Sequence, residues 1–62
     1  MVSVSTVSEF IEGMRFPVTR EDCISHAMQR GAPREVLELL RKLPAATYYE
    51  MRALWAALDE ID

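Results

Sequence analysis

Cys23 and His26 stand three residues apart, the spacing at which two side chains share one face of a helix. The chain has one cysteine and one histidine, so this pair is its only combination of thiol and imidazole. In nucleophilic catalysis the imidazole would take the thiol proton, and a position near a helix N-terminus would lower the thiol pKa. That reading lacks oxyanion donors and, beyond Asp22, an orienting acid. In a zinc site both residues would be ligands, but structural zinc takes four protein ligands, and a second chain would have to complete the set. The expectation is therefore a protein that is not an enzyme, with no catalytic residue, no metal ligand and no cofactor. Cys23 then serves as a core or staple residue. His26 becomes a boundary residue that bonds a backbone carbonyl near the following turn or the Phe16-Pro17 linker.

Phosphate recognition is the second chemistry to weigh. Residues 15–42 carry Arg15, Arg20, Arg30, Arg34, Arg41 and Lys42 against Glu21, Asp22, Glu35 and Glu38. Residues 1–14 hold only Glu9 and Glu12, and residues 43–62 hold Arg52 against Glu50, Asp59, Glu60 and Asp62. Ala27, Gly31 and Leu37 fall at the small-residue, turn and core positions of a helix-turn-helix. A DNA reader spanning residues 19–43 would act as a dimer through Arg30, Arg34, Arg41 and Lys42. Glu35 and Glu38 on the same surface would repel phosphates and oppose counterion release. His26 and Arg30 sit where that motif packs apolar groups, and a formal charge of −3 does not suit a general nucleic-acid binder. DNA binding is the alternative reading.

The aromatic cluster gives the leading one. Tyr48 and Tyr49 are adjacent and cannot both point inward, so at least one is partly exposed. Met51, Arg52 and Trp55 follow. Exposed tyrosine beside methionine and arginine is the composition of an interface anchor, whereas Trp55 shares a stripe with Met51 and Leu58 and can equally be core. Tyr48, Tyr49, Met51, Arg52 and Trp55 are thus the candidate partner-binding residues.

Four helices must position these groups, and their starts are written in the chain. Thr6-Val7-Ser8-Glu9, Thr19-Arg20-Glu21-Asp22 and Thr47-Tyr48-Tyr49-Glu50 each place an acid three residues after a threonine, the pattern in which side chain and backbone cap each other reciprocally. Pro33 after Gly31-Ala32 marks the fourth start, where a fixed φ and a missing donor cost nothing. The first helix is expected from about Thr6 to Glu12, with Gly13 as its stop. Pro17 holds Phe16 extended, giving a short linker. The second helix starts at Thr19, with Val18 and Cys23 as a hydrophobic staple and Gly31 closing it. The third runs from Pro33 to Leu43, with Val36, Leu39, Leu40 and Leu43 at i, i+3, i+4 and i+7. The last runs from about Thr47 to Ile61 and is apolar on most sides, through Met51, Ala53, Leu54, Trp55, Ala56, Ala57, Leu58 and Ile61, so it wants two neighbours.

The order of these signals resembles a family of small bacterial proteins, domain-of-unknown-function family 2795. The resemblance is carried by Phe16-Pro17-Val18-Thr19-Arg20-Glu21-Asp22, His26-Ala27, Gly31-Ala32-Pro33-Arg34-Glu35-Val36-Leu37-Glu38, Leu40 through Leu43-Pro44, and Tyr48. It covers about Phe10 to Leu58. It implies the helical fold and a bacterial or phage origin, and it brings no activity with it. Where the family places an Asp-Ser-Pro-like cap after the tyrosine, this chain has Tyr49-Glu50-Met51, which is why its last helix is expected to begin earlier, at Thr47.

The expected fold is all-α: one domain over residues 1–62, a compact bundle of four short helices with a brief extended Phe-Pro linker after the first. Its core would hold Val7, Phe10, Ile11, Phe16, Ile24, Ala27, Met28, Val36, Leu39, Leu40, Leu43, Leu54, Trp55 and Leu58. Half the residues are apolar, enough for one core, and the charged fraction argues against disorder. The single cysteine fits a reducing compartment. No basic leader precedes an apolar run, and no run approaches the roughly 20 residues of a membrane span, so the expected location is cytoplasmic. The expected function is a protein-interaction or regulatory module that buries a helix face against a partner or itself, a homodimer included. No membrane and no small-molecule substrate is expected.

Overall fold

The computed structural model describes residues 4–61; residues 1–3 and Asp62, the last of the acidic tail, lie outside the described residues. The order is α1 (Val4–Ile11), β1 (Val18–Thr19), α2 (Arg20–Gln29), α3 (Arg34–Arg41), β2 (Thr47–Tyr48) and α4 (Met51–Ile61). The fold is mainly helical as expected, with one correction. The segment after Phe16-Pro17, whose peptide bond is cis, does not stay a lone linker. It becomes β1 and pairs antiparallel with β2, Val18 opposite Tyr48 and Thr19 opposite Thr47. Each half of the chain thus reads helix, X-Pro, two-residue strand, helix.

The three threonine boxes have three different fates. Thr19 caps α2 in full: the Asp22 amide donates to Thr19 Oγ1 at 3.1 Å and the Thr19 amide to Asp22 Oδ2 at 2.9 Å. Thr6 lies inside α1, which starts at Val4; no Gly or Pro interrupts the chain ahead of it, and the Ser8 hydroxyl bonds back to the Ser5 carbonyl at 2.7 Å, as Ser does within a helix. Thr47 is a strand residue opposite Thr19. An N-cap residue is itself extended, so the same backbone geometry serves the ribbon instead. The last helix starts not at Thr47 but at Met51, and the Glu50 carbonyl takes its first amides, from Ala53 at 3.1 Å and Leu54 at 3.4 Å.

Two smaller boundaries also shift. Pro33 precedes α3 as its N-cap, in extended geometry, and Leu43 lies past the helix end although it is buried. α2 closes as expected at Gly31, whose φ is +77°. Its amide donates to Met28 O at 3.0 Å and the Ala32 amide to Ala27 O at 3.0 Å, the paired bonds of a Schellman motif.

The core is Val7, Ile11, Val18, Cys23, Ala27, Val36, Leu40, Leu43, Tyr48, Leu54 and Leu58. Phe10, Phe16, Ile24, Leu39 and Trp55, expected within it, pack at its margin. Met28 does not belong there. It shares Ile24's side of α2, four residues on, not that of Cys23 and Ala27, and is 58% exposed. α4 is less apolar outside than its composition suggests. Leu54 and Leu58 face the core, Met51, Trp55, Ala57 and Ile61 flank them, and Arg52, Ala53, Ala56, Asp59 and Glu60 face solvent.

Candidate functional site

Arg20 and His26 of α2, with Arg30 at its C-cap, decide what its neighbours can do. Arg20, at the first helical position, donates through Nη1 to the Leu43 carbonyl at 3.3 Å while Nε and Nη2 hold Glu21 Oε2 at 3.0 and 2.9 Å; that hydrogen bond holds the Glu21 carboxyl below its usual range. The Tyr48 hydroxyl donates to the next carbonyl, Pro44 O, at 2.7 Å. The chain leaving α3 is therefore tied to the start of α2 and to the ribbon. On the opposite side of α2, His26 Nε2 lies 2.8 Å from Glu12 O and Arg30 Nη1 donates to Glu9 O at 3.5 Å. Both partners are carbonyls at the end of α1, where a helix leaves acceptors unpaired and favours positive charge.

Those contacts settle where the Cys23–His26 pair stands. His26 does bond a backbone carbonyl, at the end of α1 and not in the Phe16-Pro17 linker. Cys23 is fully buried, and burial, aided by the nearby Asp22 charge, pushes its thiol up to about 11. A helix start has not produced a thiolate here, because desolvation outweighs it. Among the described residues no three His, Cys, Asp or Glu side chains cluster closely enough to hold a metal ion.

The other candidates divide sharply. Tyr48 is 6% exposed, its hydroxyl already bonded and held up in pKa chiefly by burial; it belongs to the ribbon and core and drops out of any contact surface. Tyr49 is 73% exposed. Met51 and Trp55 are half-buried on the α4 flank and Arg52 is exposed, so these four, without Tyr48, form one edge at the start of α4. Of the bases, Arg34 and Arg41 on α3 and Lys42 at its C-cap are exposed alongside exposed Glu35 and Glu38. Arg30 is exposed but turned toward α1. The sequence reading missed Arg20's tie to Leu43 and a groove of Gly13, Met14, Arg15, Val18, Asp22 and His26. The i, i+4 spacing of Asp22 and His26 was the available signal, but nothing local brings Arg15 to them.

A family model described as "Protein of unknown function (DUF2795)" matches residues 2–55. No curated protein and no solved structure matches the chain.

Proposed function

The chain belongs to the DUF2795 family of proteins of unknown function, and from that premise we propose that it is a non-enzymatic protein-interaction module, regulatory in role. It acts by burying the edge formed by Tyr49, Met51, Arg52 and Trp55 against a partner or a second copy. One observation carries the reading: Tyr49, a large amphipathic side chain, stands 73% exposed directly ahead of α4, beside the half-buried Met51 and Trp55 flank. Tyrosine and tryptophan at such an edge supply contact area at small entropic cost. The raised Cys23 pKa and the engagement of His26 by Glu12 support the absence of thiol chemistry.

Light scattering across low and high concentration tests self-contact. A dimer that Tyr49→Ala or Met51→Glu returns to monomer, with helicity intact, supports it. If the parent is monomeric, a photo-crosslinking residue at position 49 should give adducts in source cells that the same residue at exposed position 38 does not. A monomeric parent with no adduct specific to position 49 ends the reading.

A second reading rests on the Schellman turn joining α2 to α3 and the exposed bases around it. There the chain is a small DNA-binding regulator, dimeric, using Arg34, Arg41 and Lys42 with Arg30. Glu35 and Glu38 on the same face oppose it. Arg34→Ala and Lys42→Ala should weaken duplex binding and flatten its salt dependence, and an absence of retardation at low salt removes the idea.

A further inference from the structure

Sharing no residue with the Tyr49 edge, a solvent-open groove of about 380 Å3 lies between the exit of α1 and the outer side of α2. That volume is at the lower end of the roughly 300–1,000 Å3 typical of small-molecule clefts. Gly13, Met14 and Arg15 come from the segment after α1, Val18 from β1, and Asp22 and His26 from α2. Arg15 is exposed and makes no ion pair or hydrogen bond with another described residue, so its donors are available to an anion. Asp22 commits one oxygen to the Thr19 amide and keeps the other. Since Glu12 O can only accept, His26 Nε2 carries the hydrogen between them, which makes Nδ1 of the neutral ring an acceptor. Met14, only half-buried, supplies the accessible apolar wall, with buried Val18 behind it. Gly13, with φ +85°, turns the chain at the rim without adding a side chain.

A simple anion drawn to Arg15 would be repelled by Asp22, and a simple cation drawn to Asp22 would be repelled by Arg15. Only a ligand carrying both charges satisfies the two ends together. We propose that this groove binds an α-amino-acid-type zwitterion with an aliphatic side chain. Its carboxylate pairs with Arg15, its ammonium faces Asp22 and His26 Nδ1, and its side chain lies on Met14. Both charged partners are exposed, so binding is weak, about millimolar. The site shares no residue with the Tyr49 edge.

The test is a titration of L-leucine into isotope-labelled protein, read by NMR amide shifts. Saturable shifts should be confined to residues 13–18 and 22–26. Arg15→Gln should raise the dissociation constant roughly two- to fivefold, the worth of an exposed ion pair, with the circular dichroism unchanged. Isocaproate, which lacks the ammonium, and isoamylamine, which lacks the carboxylate, should each bind more weakly than leucine by a similar factor. Four results overturn the proposal: no saturable shift, shifts scattered outside the groove, leucine affinity unchanged in Arg15→Gln, or a singly charged analogue that matches leucine.

Discussion

His26 Nε2 stands 2.8 Å from the carbonyl oxygen of Glu12, across 14 residues of sequence, and so holds the middle of α2 against the end of α1. The half-buried ring satisfies a carbonyl that α1 leaves without an intrahelical partner. Replacing His26 with Ala should cost about 1 kcal/mol, whereas Gln, which keeps a donor, should lose less. Urea unfolding of the two variants measures the difference; equal losses would place the effect in ring packing instead of the hydrogen bond.

Two threonines of the same motif should respond differently. Thr19→Ala removes a capping box whose two bonds are both formed and should cost about 1 kcal/mol. Thr47→Ala changes an exposed strand residue and should cost less than about 0.5 kcal/mol. Paired melting curves decide it.

The adjacent tyrosines make a second contrast. Tyr48→Phe leaves Pro44 O without its 2.7 Å partner and should destabilise by about 1 kcal/mol. Tyr49→Phe, at a 73% exposed site, should stay within about 0.5 kcal/mol of the parent. A change at Tyr49 as large as that at Tyr48 would mean that its hydroxyl is engaged in the folded protein.

Cys23 predicts an alkaline limit. Its folded pKa is raised from 9.0 to about 11, so the unfolded chain loses the thiol proton first as pH rises. The Cys23 contribution is fully present below about pH 9, and about 2–3 kcal/mol is lost as pH climbs to about 11. Tyr48, also raised, acts with the same sign in a higher window. Cys23→Ala, after its own cavity cost, should flatten the slope of stability against pH between those values. In the parent, a thiol reagent near neutral pH should react about 10²–10³-fold more slowly than with unfolded protein, because access requires opening.

At the centre, Leu40 and Leu54 are fully buried. Either one changed to Ala should cost 2–5 kcal/mol, about the whole stability of a domain this small. Circular dichroism of both variants should show a largely unfolded chain at room temperature, and near-parent melting would mean that the core collapses around the loss.

The sequence by itself determined what depends on near neighbours. The Thr19–Asp22 box, the Gly31 turn, the Val36/Leu40 stripe of α3 and the Leu54/Leu58 stripe of α4 are set by bonds and periodicities within a few residues, and all stand as read. Cys23 was legible as core for the same reason, whereas His26 was legible as a carbonyl-bonding residue but its partner, Glu12 O across 14 residues, was not. Only the tertiary structure decided the rest, because those choices are contests between locally equivalent states. Thr47 is extended whether it caps a helix or pairs with Thr19, and the ribbon across 28 residues of sequence selects the strand. Tyr48 and Tyr49 are chemically alike, and the register placing Tyr48 opposite Val18 turns one inward and leaves the other in solvent. The groove joining Arg15 to Asp22 and His26 exists only once α1 docks on α2, so its charges are legible in the chain and their proximity is not.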